Sequence, residues 1–167
     1  MSLMDIIFRE AKKEDADLLR KIEAGDGYSY PYKKTKEDYE RYMSEGDTFL
    51  IAEVDGKPAG YISIVDCKYF GQVCRLHFLA VLVEYQNKGV GSKLIDYFEE
   101  QAKKRQYSRI IINVYADNVR AIRFYEKKGY SHWFTIPYRY ENGIDAYVMC
   151  KDLSATFLDR MNSKQAQ

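Results

Sequence analysis

Apolar residues along this chain switch repeatedly between a period of two, the signature of half-buried strands, and a period near 3.6, the signature of amphipathic helices. Residues 6–9 read as a first strand and residues 14–24 as a first helix that turns Leu18, Leu19 and Ile22 to the core. A loop rich in Gly, Tyr and Pro, residues 25–32, leads to a second helix over residues 35–43. Residues 48–54 and 58–65 form a hairpin around Asp55-Gly56, a favoured two-residue turn. The fourth strand covers residues 73–83, and a helix follows in which Val90, Leu94, Ile95, Phe98 and Ala102 share one face. Lys93, Glu99, Glu100, Lys103 and Lys104 lie off that face. The β-branched run Ile110-Ile111-Ile112-Asn113-Val114 reads as a buried fifth strand. Asp117-Asn118 caps the next helix, which Lys127, Lys128 and Gly129 close. Residues 133–140 and 144–151 make a last hairpin across Asn142-Gly143. Helices, strands and hairpins in this order specify a mixed α/β sheet in one domain, residues 4–153, with residues 154–167 as a C-terminal tail.

Composition narrows the classes of function. A chain of 167 residues, 46% hydrophobic, fills one sizeable core and leaves little for a second. A formal net charge of +1 argues against an electrostatic nucleic-acid binder. No apolar run approaches the roughly 20 residues of a membrane span and no signal peptide opens the chain, so a cytoplasmic location and no membrane partner are expected. Cys67, Cys74 and Cys150 lack metal-ligand spacing and read as free thiols; His77 and His132 lack metal-site companions, so no metal is expected.

The chemistry concentrates in residues 76–91, where a buried strand runs into a Gln-x-x-Gly-x-Gly turn that opens a helix. Gly89 and Gly91 permit positive φ and close backbone approach, so successive amides can face an anion at the positive end of the helix dipole. The Walker phosphate loop is excluded: Gly91 is followed by Ser92-Lys93, and Gln86 stands where its first glycine belongs. The dinucleotide fingerprint fails as well, with Leu94 at its third glycine.

Leu79, Val81, Gln86, Gly89, Gly91, Asn118, Ala121, Tyr125, Gly129 and Tyr130 spell Leu-x-Val, Gln-x-x-Gly-x-Gly and Asn-x-x-Ala-x-x-x-Tyr-x-x-x-Gly-Tyr in order. That constellation resembles the GNAT superfamily of acetyl-CoA-dependent N-acyltransferases, closest in pattern to its ribosomal-protein and N-terminal protein acetyltransferase branch. The resemblance implies a mixed, mostly antiparallel sheet of about six or seven strands, the fourth and fifth splayed, flanked by about four helices. It implies acetyl-CoA as co-substrate, with the pantetheine arm in the splay against the backbone of Leu79, Ala80 and Val81. The pyrophosphate would lie on the loop of Gln86, Asn87, Lys88, Gly89, Val90, Gly91 and Ser92, with Asn118, Ala121 and Tyr125 completing the cofactor site. An amide near Ala80 or Val81 would stabilise the developing oxyanion.

By the same resemblance Tyr125 is the acid that protonates the leaving thiolate. His77, placed as in the arylalkylamine branch, is a candidate base; Glu84 is the other, and a water relay a third route. The resemblance assigns acceptor binding to tyrosine-rich loops carrying Tyr30, Tyr32, Tyr138 and Tyr140. Asn113 stands where the protein-acetylating branch carries a Glu or His base, and an amide cannot take that proton. The expected acceptor is therefore a peptide or protein N-terminus, or a small amine such as a polyamine or arylalkylamine, with the protein acting as monomer or homodimer. A silent CoA-binding module and a nucleotide-phosphate enzyme are the competing classes. Incubation with acetyl-CoA and a panel of amines, following thiol release and acceptor mass, separates them.

Overall fold

The computed structural model describes residues 5–29, 32–67, 71–140 and 143–153. Seven strands form one sheet: β1 (Ile6–Glu10), β2 (Thr48–Val54), β3 (Lys57–Asp66), β4 (Val73–Val81), β5 (Arg109–Tyr115), β6 (Ser131–Ile136) and β7 (Ala146–Asp152). Their spatial order is β1-β2-β3-β4-β5-β7-β6, and every neighbouring pair is antiparallel except β4 and β5. Four α-helices, α1 (Ala16–Ala24), α2 (Lys36–Glu45), α3 (Val90–Lys104) and α4 (Val119–Lys127), are seen among the described residues. The sheet is thus of mixed type, as the periodicities require.

Two cores sandwich the sheet. On one face Leu94, Ile95, Phe98 and Ala102 of α3, all fully buried, pack with Tyr125 of α4 on Ile62, Leu76, Ile110 and Ile112. On the other, Leu19 and Ile22 of α1 and Tyr39 of α2 pack on Phe49, Ile51, Tyr61 and Ala80. The β2–β3 turn takes positive φ at both Asp55 and Gly56, the primed geometry that matches strand twist.

Helix α2 is set by a capping box: the Asp38 amide donates to Thr35 Oγ1, and the Asp38 carboxylate accepts from the Thr35 amide at 2.8 Å. The bond from the Thr35 backbone holds the Asp38 carboxyl down at about 2. Thr35→Ala is expected to cost about 1 kcal/mol in urea denaturation. Because the folded-state value is lowered, the Asp38 contribution is complete above about pH 4, the unfolded value, and disappears as pH falls towards about 2.

The structure departs from the sequence expectation at several boundaries and in the burial of one side chain. The first helix opens with a 3-10 turn, Lys13–Asp15, and is α-helical only from Ala16. Strand β4 ends at Val81, not Val83: Leu82 and Val83 donate to Ala59 and Gly25, and a 3-10 turn, Val83–Tyr85, follows. Strand β6 ends at Ile136, where Pro137 has no N–H for a ladder and Tyr138 turns left-handed at φ 49°, so the last connection is a longer loop. Glu99 is buried, because both of its oxygens accept from Lys151 Nζ at 2.8 Å. The tail after Leu153 and the loop residues Tyr30, Pro31 and Asn142 lie outside the described residues.

Candidate active site

A bulge in β4 opens the sheet. Ile62 pairs with Leu79 while Ile64 pairs with Leu76, so one extra residue of β4 sits opposite Ser63. His77 and Phe78 consequently share a face, their rings stacked at 3.8 Å, and the Phe78 amide donates to Ser63 Oγ at 3.0 Å. Pairing of β4 with β5 runs only from Val73↔Arg109 to Leu76↔Ile112. Beyond it the two parallel strands diverge, and the edge of Leu79, Ala80 and Val81 that faces β5 has no strand partner.

Two cavities flank this gap and meet in it. The first, about 700 Å³, lies between the loop before α3 and the start of α4, a size that suits a cofactor. Leu79, Ala80, Val81, Gln86, Asn87, Gly89, Gly91 and Ser92 line it, with Asn118, Ala121 and Tyr125. Among the described residues its charges are Arg120, Arg123 and Lys127 against Asp26, a field that attracts a polyanion. The first three residues there were expected from no motif; three cations on one exposed face of the motif helix were the available signal.

The loop is shaped to offer amides. Asn87 and Gly89 take positive φ, 59° and 86°, whereas Gly91 already lies inside α3 and does not. Gly91 matters for space instead: a Cβ there would meet Phe124 and Val81 only at ordinary contact distance, 3.7 Å, so the protein itself tolerates it. The first bond of α3 runs from the Lys93 amide to the Gly89 carbonyl, which leaves the amides of Val90, Gly91 and Ser92 ahead of the helix's own hydrogen bonds. Gln86 braces the loop: Nε2 donates to the Asp26 and Val81 carbonyls at 2.6 and 2.8 Å, and Oε1 accepts from Arg120. Its side chain is therefore a support. The Lys88 side chain is exposed and outside the cavity, and the Val90 side chain is buried in the core, leaving only its amide for a ligand.

The second cavity, about 310 Å³, lies on the α1–α2 side and is lined by His77, Phe78, Asn113, Tyr115 and Tyr140 among others. Leu79, Asn118, Ala121 and Tyr125 line both cavities, so the passage between them runs beside the Tyr125 ring. Asn118 caps α4 by accepting from the Ala121 amide at 3.1 Å, which fixes the turn on which that ring is mounted. The Tyr125 hydroxyl has no hydrogen-bond partner among the described residues. Burial raises its pKa well above the ordinary phenol value, so it remains protonated.

His77 reaches the second cavity with Nδ1 2.6 Å from a carboxylate oxygen of Asp47, a buried residue. A carboxylate accepts, so Nδ1 carries the hydrogen, and in the neutral ring the lone pair lies on Nε2. Asp47, at the mouth of β2, carried no motif in the sequence. Neither did Glu23, whose Oε2 accepts from Lys34 Nζ at 2.6 Å, Tyr39 at 2.9 Å and Tyr61 at 3.1 Å beneath the cavity floor.

Other expected residues separate. Tyr32 lines the second cavity with its hydroxyl held by Asp38 at 2.9 Å, and Tyr140 lines it stacked on Tyr115 at 3.8 Å. Tyr138 does not join them: its left-handed backbone turns it out, 81% exposed, over a separate shallow pocket, while its amide donates to Asp145. Glu84 is exposed on the 3-10 turn and lines neither cavity, which removes its geometric basis as a base. Tyr30 lies outside the described residues. Among the described residues no His, Cys, Asp and Glu group could hold a metal, and no helix is long and apolar enough to cross a membrane.

Similarity to known proteins agrees with this cleft. Residues 16–130 match the acetyltransferase (GNAT) family. An uncharacterized N-acetyltransferase of Methanocaldococcus jannaschii is 31% identical over 73% of this chain, and the matched part spans 59% of that relative's length. A second uncharacterized N-acetyltransferase of that archaeon is 30% identical over 87% of this chain and 91% of its own. The ribosomal-protein-S18-alanine N-acetyltransferase of Escherichia coli shares the fold, with TM-score 0.78 and 20% identity over 91% of this chain and 96% of its own. A family match over more than half the chain, joined to an amide-lined basic cavity opening on a splayed sheet, leads to one assignment: the chain belongs to the GNAT family of acetyltransferases, with acetyl-CoA as the acyl donor.

Proposed function

We propose that this protein moves an acetyl group from acetyl-CoA to a primary amine by direct attack in a ternary complex, and that the amine is a peptide or protein N-terminus. One observation carries this reading: two cavities, lined in common by Leu79, Asn118, Ala121 and Tyr125, meet at the β4–β5 gap. The first cavity fits CoA because it joins backbone amides and three cations to an unpaired strand edge. Acetyl-CoA supplies the activated thioester. The loop from Asn87 to Ser92 then bears the phosphates, and Leu79, Ala80 and Val81 orient the arm.

The acceptor enters from the second cavity. Its nitrogen lone pair forms a bond to the thioester carbonyl carbon as the carbon–sulfur bond breaks. The thiolate leaves with the Tyr125 proton, and the proton lost by the amine passes to His77 Nε2 or to water before Tyr125 is reprotonated. His77 takes this role over Asn113, which lines the same cavity and has no basic atom. Asp47 keeps the imidazole in the useful tautomer, a positioning role. Asp47→Asn is expected to lower kcat about tenfold, or about 1.4 kcal/mol of barrier, without changing the KM for acetyl-CoA. Equal kcat values in steady-state assays would confine Asp47 to packing.

Support for the peptide comes from the shape of the cleft's entrance, where Tyr32 and the Tyr115–Tyr140 stack give apolar faces with hydroxyls at the edge. The same stack leaves a cavity of only about 310 Å³, which favours a small hydrophobic amine as the second reading. The test is incubation with acetyl-CoA and a panel of N-terminal peptides, arylalkylamines and polyamines, following thiol release and acceptor mass. Acetylated peptide N-termini support the proposal. Thiol release with none of the acceptors modified contradicts it.

A further inference from the structure

The charges of the second cavity are out of balance. Lys34, Arg75 and Arg139 line it, and among the described residues the single lining carboxylate is Glu23. Glu23 is already engaged by Lys34 at 2.6 Å and by the hydroxyls of Tyr39 and Tyr61. Asp47, which reaches the lining His77, is held by it at 2.6 Å. Neither Arg75 nor Arg139 has an ion pair or hydrogen bond among the described residues, and Arg75 Nε is buried with no acceptor. A guanidinium nitrogen withdrawn from water without an acceptor is an unmet demand for negative charge.

The two arginines converge. Arg75 projects from the paired half of β4, two residues before the bulge, on the α1–α2 side; Arg139 stands at the rim beside Tyr140. Both charges act on the Tyr140 hydroxyl, opposing the burial that pushes it up to about 12. Arg75, Arg139 and Tyr140 all line this one cavity. Such a field disfavours a polycationic acceptor. It also lowers the pKa of a bound amine and so favours the neutral nucleophile, provided something anionic on the same molecule offsets the repulsion.

We propose that the acceptor carries a carboxylate, held by Arg75 and Arg139, while its amine reaches the thioester beside Tyr125. This inference rests on the transferase reading of the cleft and adds the acceptor's class: an amine with an acidic group a few bonds away. A guanidinium is the planar group that can bind a carboxylate through two parallel hydrogen bonds. The carboxylate has two sources, the α-carboxylate of a free amino acid or the side chain of an acidic residue at a peptide N-terminus.

Binding of acetylated products to the CoA-loaded protein tests this without requiring turnover. N-acetylalanine carries only an α-carboxylate, N-acetylaspartate α-amide only a side-chain carboxylate, and N-acetylalaninamide neither. Isothermal titration is expected to show one or both carboxylates binding about tenfold or more tightly than the neutral amide. The tighter of the two names the source. Arg75→Gln is expected to erase that ratio and Arg75→Lys to restore part of it. Since Arg75→Gln removes a buried group without a partner, its melting temperature without ligands should not fall. Equal affinities for all three probes, no binding by either carboxylate at millimolar concentration, or a ratio that survives in both Arg75→Gln and Arg139→Gln would overturn the proposal. Acetylation of neutral amines alone would do so too while leaving the transferase intact, whereas a protein that modifies no amine refutes the transferase reading separately.

Discussion

Tyr125→Phe is expected to bind acetyl-CoA as the parent does and to turn over about 10²- to 10⁴-fold more slowly, a barrier increase of roughly 3 to 5.5 kcal/mol. The substitution removes one oxygen and leaves the ring, which is buried against the core and against Tyr130. The oxygen it removes has no hydrogen-bond partner among the described residues, so folding loses nothing with it. Its value appears only when a thiolate forms in the passage beside it. Burial favours the neutral hydroxyl, so the raised pKa keeps the proton in place through neutral and mildly alkaline pH. The parent's rate should therefore not decline through loss of the Tyr125 proton in that range, and the variant should be slower by the same factor across it. Single-turnover kinetics, in which chemistry limits the rate, provide the measurement. An unchanged rate constant would leave Tyr125 a packing residue.

The second large effect is expected at Gly91. Saturating acetyl-CoA should raise the parent's melting temperature, since a ligand at about 100 times its Kd stabilises the folded state by about 2.7 kcal/mol. Gly91→Leu should abolish this shift, and Gly91→Ala should weaken affinity by about tenfold or more, because the added carbon occupies the approach of the pyrophosphate to the first amides of α3. The ligand-free variants are the control. A Cβ at Gly91 meets protein atoms only at 3.7 Å, and alanine inside a helix is favoured over glycine by about 1 kcal/mol, so Gly91→Ala should melt no lower than the parent. Equal ligand-induced shifts in parent and Gly91→Leu would remove the phosphate from this loop.

Periodic and glycine-bearing segments were legible because their signals are local. The buried face of α3 is the stripe Val90, Leu94, Ile95, Phe98 and Ala102 that the sequence displays, and the Asn118 cap does what a cap residue in that position must. A fourth-strand bulge that splays β4 from β5 was implied by family resemblance, but its position was not readable: the bulge at His77 and Phe78 exists only relative to the register of β3. Asp47 and His77 are 30 positions apart and Glu23 and Tyr61 are 38 apart, so neither contact leaves a trace in spacing. Tyr138 and Tyr140 look equivalent in sequence. A left-handed Tyr138 after Pro137 sends one to solvent and leaves the other in the cleft. Arg75 reads as the polar position of an alternating strand, and its significance comes from acids that the fold places elsewhere.

If donor and acceptor occupy the two cavities joined beside Tyr125, a bisubstrate ligand measures that junction directly. CoA linked through its sulfur and one acetyl unit to the amine of the best acceptor from the panel spans both cavities at once. Its Kd, compared with those of CoA and of the acceptor alone, should show about 10²- to 10⁴-fold tighter binding than the better of the two, because the second contact becomes intramolecular. A Kd equal to that of CoA alone would mean that the acceptor half finds no site through the gap, and would contradict direct transfer in this cleft.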